Sequence, residues 1–152
     1  MALRNDGDVI KGVGYVAIYA AYVEEQIDTL LGSLDRVMTV DEKLKRGQTS
    51  SKIKAIKKRL RKLDPVAFEY LLNDLDTCTA LLEARHEIMH GRIYGQLDGP
   101  DILHPGRPNQ QKRPVTSIEL YDLANQLSSC CGVLNRPQLT DIPMSVDKWV
   151  AT

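Results

Sequence analysis

Two of the three histidines in the chain lie one helical turn apart, in the segment Ala84-Arg85-His86-Glu87-Ile88-Met89-His90-Gly91. The spacing admits two chemistries. Read from the first histidine, His86-Glu87-Ile88-Met89-His90 is an H-E-x-x-H pattern. On a helix it puts both imidazoles on one face, where they can share a zinc ion while Glu87 activates a bound water. A third protein ligand is then required. The residue six positions after His90 is Gln96, which leaves His104, Asp98 and Asp101 in the following segment, or an acid on another helix, as candidates. Read from the arginine, the same residues give an arginine, a polar residue, three further residues and a histidine. Against both stands a plainer expectation: arginine and histidine at a helix C-terminus complement the macrodipole and cap its last carbonyls.

The second pattern resembles the signature of the HEPN superfamily, an arginine followed four to six residues later by histidine. His86 stands at the polar position next to the arginine, and Gly91 follows the histidine. A helical domain with a long first helix, and with the motif at the end of a later helix, extends the resemblance over most of the chain. Its specific part is the six residues from Arg85 to His90. The resemblance implies a metal-independent endoribonuclease that works as a homodimer, with two copies of the motif meeting in one composite site. Arg85, His90 and His86 would be its catalytic residues, and no cofactor is called for. The residue types suit that chemistry. Attack of an RNA 2′-OH on its own phosphate needs proton transfer, for which an imidazole is suited. It also needs a permanent cation beside the phosphoryl oxygens, which arginine supplies. Arg85 and His90 are five apart, about 140° around a helix, so two helices make a better site than one. A toxin or antiviral-defence role would follow, with an antitoxin or regulatory protein as a further partner. Some HEPN proteins only bind, so the alternative is a non-catalytic module for nucleic acid, nucleotide or protein. A zinc hydrolase using His86 and His90 stands third.

Four helices are expected to carry these residues. The first runs from about Asp8 to Arg36, with Val9, Val13, Val16, Ala20, Val23, Ile27, Leu30 and Leu34 at helical spacing. Gly12 and Gly14 weaken its start and permit close approach of another helix. A polar connection leads to a second helix, about Lys52 to Leu63, capped by Ser50 or Ser51. Asp64-Pro65 opens a third, which ends at His90-Gly91 with glycine as a left-handed C-cap. The segment from Gly91 to Pro114 alternates glycine and proline. It reads as a long loop or a short hairpin, Arg92-Tyr94 against Asp101-Leu103. A fourth helix spans about Ser117 to Leu134, and an irregular tail follows. The expected fold is therefore all-α, an antiparallel bundle of about four helices, with residues 1–136 as the domain and 137–152 as a C-terminal tail.

Charge is unevenly spread over a chain of zero net charge. Ten of the twenty basic residues fall between Lys43 and Lys62, a window without a single acid. Within it Lys52, Lys54, Lys57, Lys58, Arg59, Arg61 and Lys62 lie on the second helix, and Arg92 adds a cation just after the motif. Such a run suits an anionic partner, RNA first, through phosphate contacts. An amphipathic helix with a solvated basic face explains it equally well. Tyr15, Tyr19 and Tyr22 form a stripe expected to pack or to dimerise. The cysteines, Cys78, Cys130 and Cys131, are odd in number and lack metal-binding spacing, which reads as reduced thiols. No apolar run reaches the roughly 18 residues of a membrane helix. Residues 1–8 lack the apolar stretch of a signal peptide. The expected location is cytoplasmic, with no membrane partner.

Overall fold

The computed structural model describes residues 2–152. In chain order the elements are α1 (Val9–Ser33), α2 (Glu42–Lys45), α3 (Thr49–Leu63), α4 (Glu69–His90), β1 (Arg92–Tyr94), β2 (Asp101–His104), β3 (Arg113–Val115), α5 (Ser117–Leu139) and α6 (Asp141–Ala151). Helix accounts for 66% of the chain. The fold is thus mostly helical but not the clean all-α four-helix bundle expected, because a three-stranded antiparallel sheet and a helix α6 are added. The chain forms two compact units, whose boundaries fall inside α1, α4 and α5. One comprises residues up to Ala21 with Ala80–Ser128, and the other Tyr22–Thr79 with Ser129–Thr152.

The first unit holds the motif. Asp8 starts α1 by accepting the Lys11 backbone N–H at 3.0 Å. Gly12 then lies against α5: a Cβ there would sit 2.9 Å from the Leu120 Cβ. Its missing side chain lets Val16 and Ala20 pack in a core with Leu81, Ile88, Leu103, Val115, Leu120, Tyr121 and Leu127. Tyr15 meets the buried Tyr121 edge-on, with ring centroids 5.6 Å apart, and the Tyr121 hydroxyl donates to Asp6 at 2.8 Å. Tyr15 therefore packs this unit internally. The sheet runs in the order β1-β2-β3. Arg92 pairs with His104, Ile93 with Leu103 and Tyr94 with Ile102, while β2 pairs Leu103 with Arg113 and Asp101 with Val115. Strand alternation turns Leu103 and Val115 into the core and leaves Arg92, Tyr94 and His104 on the opposite face. The hairpin turn uses Gly99 at φ +123°. Strand β3 is not legible beforehand, because Pro114 argues against a strand except at an edge, which is where β3 lies.

The second unit is built on Val23, Ile27, Leu30, Leu34, Ile53, Ile56, Leu60, Phe68, Leu71, Leu75, Leu134, Ile142 and Val146. Helix α3 begins earlier than expected, and Gln48 at its N-cap position makes no side-chain cap bond, so neither Ser50 nor Ser51 has that role. Asp64 does accept backbone N–H groups, from Val66 at 3.1 Å and Ala67 at 3.0 Å, but regular helix resumes only at Glu69. The tail expected to be irregular is helical. Helix α5 continues through Pro137 to Leu139, and α6 buries Ile142 and Val146 one turn apart. The break expected at residue 137 therefore falls inside a helix. Cys78 and Cys130 are joined in a disulfide, which corrects the expectation of three reduced thiols. Both are buried on helices that bring them together across 52 residues of sequence, a pairing no spacing rule reveals. Burial pushes the thiol of Cys131 up. Among the described residues, no helix is long and apolar enough to cross a membrane.

Three members of the basic run serve this unit rather than solvent. Arg59 is only 3% exposed, and it donates to the carbonyls of Met38 and Thr39, each at 2.8 Å, and of Ala55 at 3.0 Å. Lys52 is buried and bonds Asp28 at 2.6 Å, while Lys57 pairs with Asp76. Lys54, Lys58, Arg61 and Lys62 stay exposed, with the Lys62 ammonium 5.5 Å from the Trp149 ring. Removing Arg59 strands two loop carbonyls and opens a buried space. Arg59→Ala is expected to cost about 2–3 kcal/mol in chemical denaturation, whereas Lys58→Ala, on the exposed face, leaves the unfolding midpoint unchanged.

Candidate functional site

The segment from Arg85 to His90 forms the last turns of α4, and the chain then reverses directly into β1. Gly91 makes the reversal possible. A Cβ at this position would lie 2.6 Å from the Leu103 Cδ1 and 2.9 Å from the Glu87 carbonyl oxygen. Among the described residues only Gly7 and Gly99 have positive φ, so Gly91 is not the left-handed cap expected. It is small because β2 runs against the helix end. Gly106 repeats the constraint from above: its missing Cβ would collide with the carbonyl oxygen of His90. The loop after β2 therefore crosses directly over the last residue of the motif.

Two ion pairs tie the same loop to α4. Arg107 pairs with Glu83. Arg113 donates from Nε to Glu87 at 2.9 Å, and its terminal nitrogens bind Glu119 on α5 at 2.7 and 3.0 Å. Donating to Glu119 and to Glu87 pushes the Arg113 pKa still further up, so its guanidinium stays charged. Glu87 is therefore paired with a guanidinium. Among the described residues, no three His, Cys, Asp or Glu side chains gather as a metal site. The third ligand sought at His104, Asp98 or Asp101 is not assembled.

The loop and sheet border a half-open cavity of about 540 Å³ beside the helix end, within the roughly 300–1,000 Å³ usual for small-ligand sites. Its lining includes His90, Arg92, His104, Arg107, Gln110 and Lys112. Three permanent cations and two imidazoles thus face one space, and no carboxylate lines it. Of the residues singled out by sequence, His90 and Arg92 line this cavity. The His86 ring lies against His90, with centroids 4.2 Å apart. Arg85 is half-buried on α4, its Nε sealed from solvent, and it is not part of the lining. The α3 cations belong to the other compact unit. The sequence offers His104 only as a candidate metal ligand, and its place beside the motif arises from the β1–β2 register, which sets it opposite Arg92. Its ring also meets Tyr94, with centroids 4.5 Å apart.

Burial pushes the His86 imidazole below its ordinary value, and the nearby His90, Arg107 and Arg85 add to this, while Glu83 opposes it. Compared with family models, curated proteins and solved structures, the chain matches none.

Two measurements check this geometry. Gly106→Ala forces backbone to move off His90 and is expected to lower stability by about 1–3 kcal/mol and to shift the His90 ring resonances in an NMR spectrum. Because the folded pKa of His86 is depressed, the unfolded chain binds its proton first as pH falls below about 6.5. Its contribution to stability is therefore lost on acidification through that window and recovered above it. Thermal midpoints at pH 7 and pH 5 should fall further in wild type than in His86→Gln.

Proposed function

We propose that the chain is a metal-independent endoribonuclease of HEPN type, cutting RNA by attack of the 2′-OH on the adjacent phosphate. One observation supports this above the others: His90 lines a cavity whose charged groups are all cationic or imidazole. Such a space attracts anions, a phosphodiester among them. In this reading His90 transfers a proton and Arg85 stabilises charge on the phosphoryl oxygens. His86, whose ring lies against His90, orients or relays for it. Arg92 binds a flanking phosphate. The exposed cations of α3, Lys54, Lys58, Arg61 and Lys62, are offered as further backbone contacts, which would make binding steeply salt-dependent.

A homodimer brings a second motif to the site. On another flank of the motif helix end, Val9, Ile10, Val13, Ile88, Met89 and Ile93 line an open groove of about 480 Å³. Ile10 is 85% exposed there. Exposed apolar side chains beside the motif suit a second copy of the chain, and a shared site would bring the half-buried Arg85 of one chain toward the His90 of the other. A toxin or defence role, and a restraining antitoxin or regulatory protein, belong to the same proposal.

The alternative is a module that binds nucleic acid or nucleotide through the same cations without cutting. Cleavage decides between them. Purified protein is expected to cut single-stranded RNA in the presence of EDTA, with His90→Ala and Arg85→Ala each reducing the rate at least about 100-fold while circular dichroism stays unchanged. Binding without cleavage would establish the binding module, and loss of cleavage on chelation would return the zinc reading.

A further inference from the structure

We infer that His104 is the second proton-transfer group of the ribonuclease site, so that one chain supplies both the acid and the base. The inference rests on the ribonuclease reading above and goes beyond it, since nothing in the Arg85–His90 motif points to this residue. Three features of the structure carry it.

First, His90 and His104 line one cavity. They reach it from different elements, the end of α4 and the end of β2, whose backbones are held together by the missing side chains of Gly91 and Gly106. A Cβ on Gly91 would lie 3.0 Å from the His104 carbonyl oxygen, and one on Gly106 would lie 3.7 Å from the His90 Cβ. The two imidazoles thus border a shared space with a close backbone frame. Second, the His104 ring is oriented. Tyr94 packs on it from the same face of the sheet, and Arg92 stands opposite it in register. Third, the remaining charged groups of the cavity are Arg92, Arg107 and Lys112, with Arg107 also paired to Glu83 outside the lining. These cations suit a phosphodiester and the phosphates next to it. Imidazole is the side-chain type suited to proton transfer, and of the three histidines His86 lies against His90 without being part of the lining.

The step balances on these residues alone. The neutral imidazole of the His90–His104 pair takes the proton of the RNA 2′-OH as its oxygen forms a bond to phosphorus. The protonated imidazole gives its proton to the 5′-oxygen as the phosphorus–O5′ bond breaks. The products are a 2′,3′-cyclic phosphate and a 5′-hydroxyl, and the pair is left with its proton exchanged between partners. No metal, oxidant or co-substrate enters. The substrate class is therefore RNA with a flexible backbone at the cleavage site. A strand with a single 2′-deoxy sugar at that position is a competitor, not a substrate.

The test uses full-length protein, a single-stranded RNA of mixed sequence and EDTA throughout. A matched RNA carries sulfur in place of the 5′-bridging oxygen at one linkage, a leaving group that departs without a proton. His104→Gln and His90→Gln are each expected to lower kcat on ordinary RNA by about 100-fold or more, with KM little changed. His104→Phe, which keeps a ring against Tyr94, should be equally slow. On the sulfur-containing RNA one of the two glutamine variants, the one lacking the acid, regains most of the wild-type rate and the other does not. The kcat/KM profile of the wild type is bell-shaped in pH, and His104→Gln removes one limb. If His104→Gln cuts ordinary RNA at the wild-type rate while His90→Gln does not, the inference is wrong and the ribonuclease reading survives. Rescue of both variants, or of neither, also overturns the paired roles. Wild-type protein that cuts no RNA overturns the ribonuclease reading and this inference together.

Discussion

The arrangement of the first unit depends on how closely backbone can approach the last turn of α4. Helix ends expose carbonyl groups that water or other donors normally satisfy, and a bulky following residue would hold the chain away from them. Here Gly91 lets β2 run against the turn, and Gly106 lets the next loop pass over the His90 carbonyl. Neither glycine is needed for an unusual φ angle; each is needed because a methyl group would occupy the space of another backbone. With that contact made, His90, Arg92 and His104 come to one cavity without any contact between their own side chains being required to fold it.

Electrostatics then works with the packing. Segment 83–87 of α4 carries two carboxylates, which would make a poor neighbour for a phosphate. Each is matched by an arginine from the loop and sheet: Glu83 by Arg107 and Glu87 by Arg113, the latter shared with Glu119. These pairs anchor the loop and remove negative charge from the rim at the same time. What remains to face the cavity is cationic or imidazole. In the second unit the logic is reversed. Arg59 and Lys52 lie in the basic run that looks most like an anion-binding surface, yet they are buried and satisfy backbone carbonyls and a carboxylate. A charge run marks where cations are in the chain, not where their side chains go.

Much of the helical framework was legible. Helix α1 follows its apolar spacing and α4 stops at the histidine before a glycine, while Asp64 accepts two backbone N–H groups but α4 itself begins only at Glu69. The hairpin between β1 and β2 falls close to its expected residues. What was missed has identifiable causes. Pro114 hid an edge strand, Pro137 suggested a helix end that tertiary contacts override, and the short apolar pair Ile142 and Val146 was too brief to declare α6. The Cys78–Cys130 bond joins positions whose neighbourhood depends on two helices packing.

By itself the sequence determined the chemistry of the α4 end: an arginine, two histidines one turn apart and a glycine, on a helix, with cations following. Local periodicity and capping suffice for that, because helix geometry fixes the spacing of residues only a few positions apart. The tertiary structure alone decided which groups share a space. The β1–β2 register set His104 opposite Arg92, the crossing at Gly106 drew the loop cations over His90, and buried hydrogen bonds withdrew Arg59 from the surface. Such neighbours lie farther apart in the chain than helix periodicity and capping reach, and their meeting depends on packing and register.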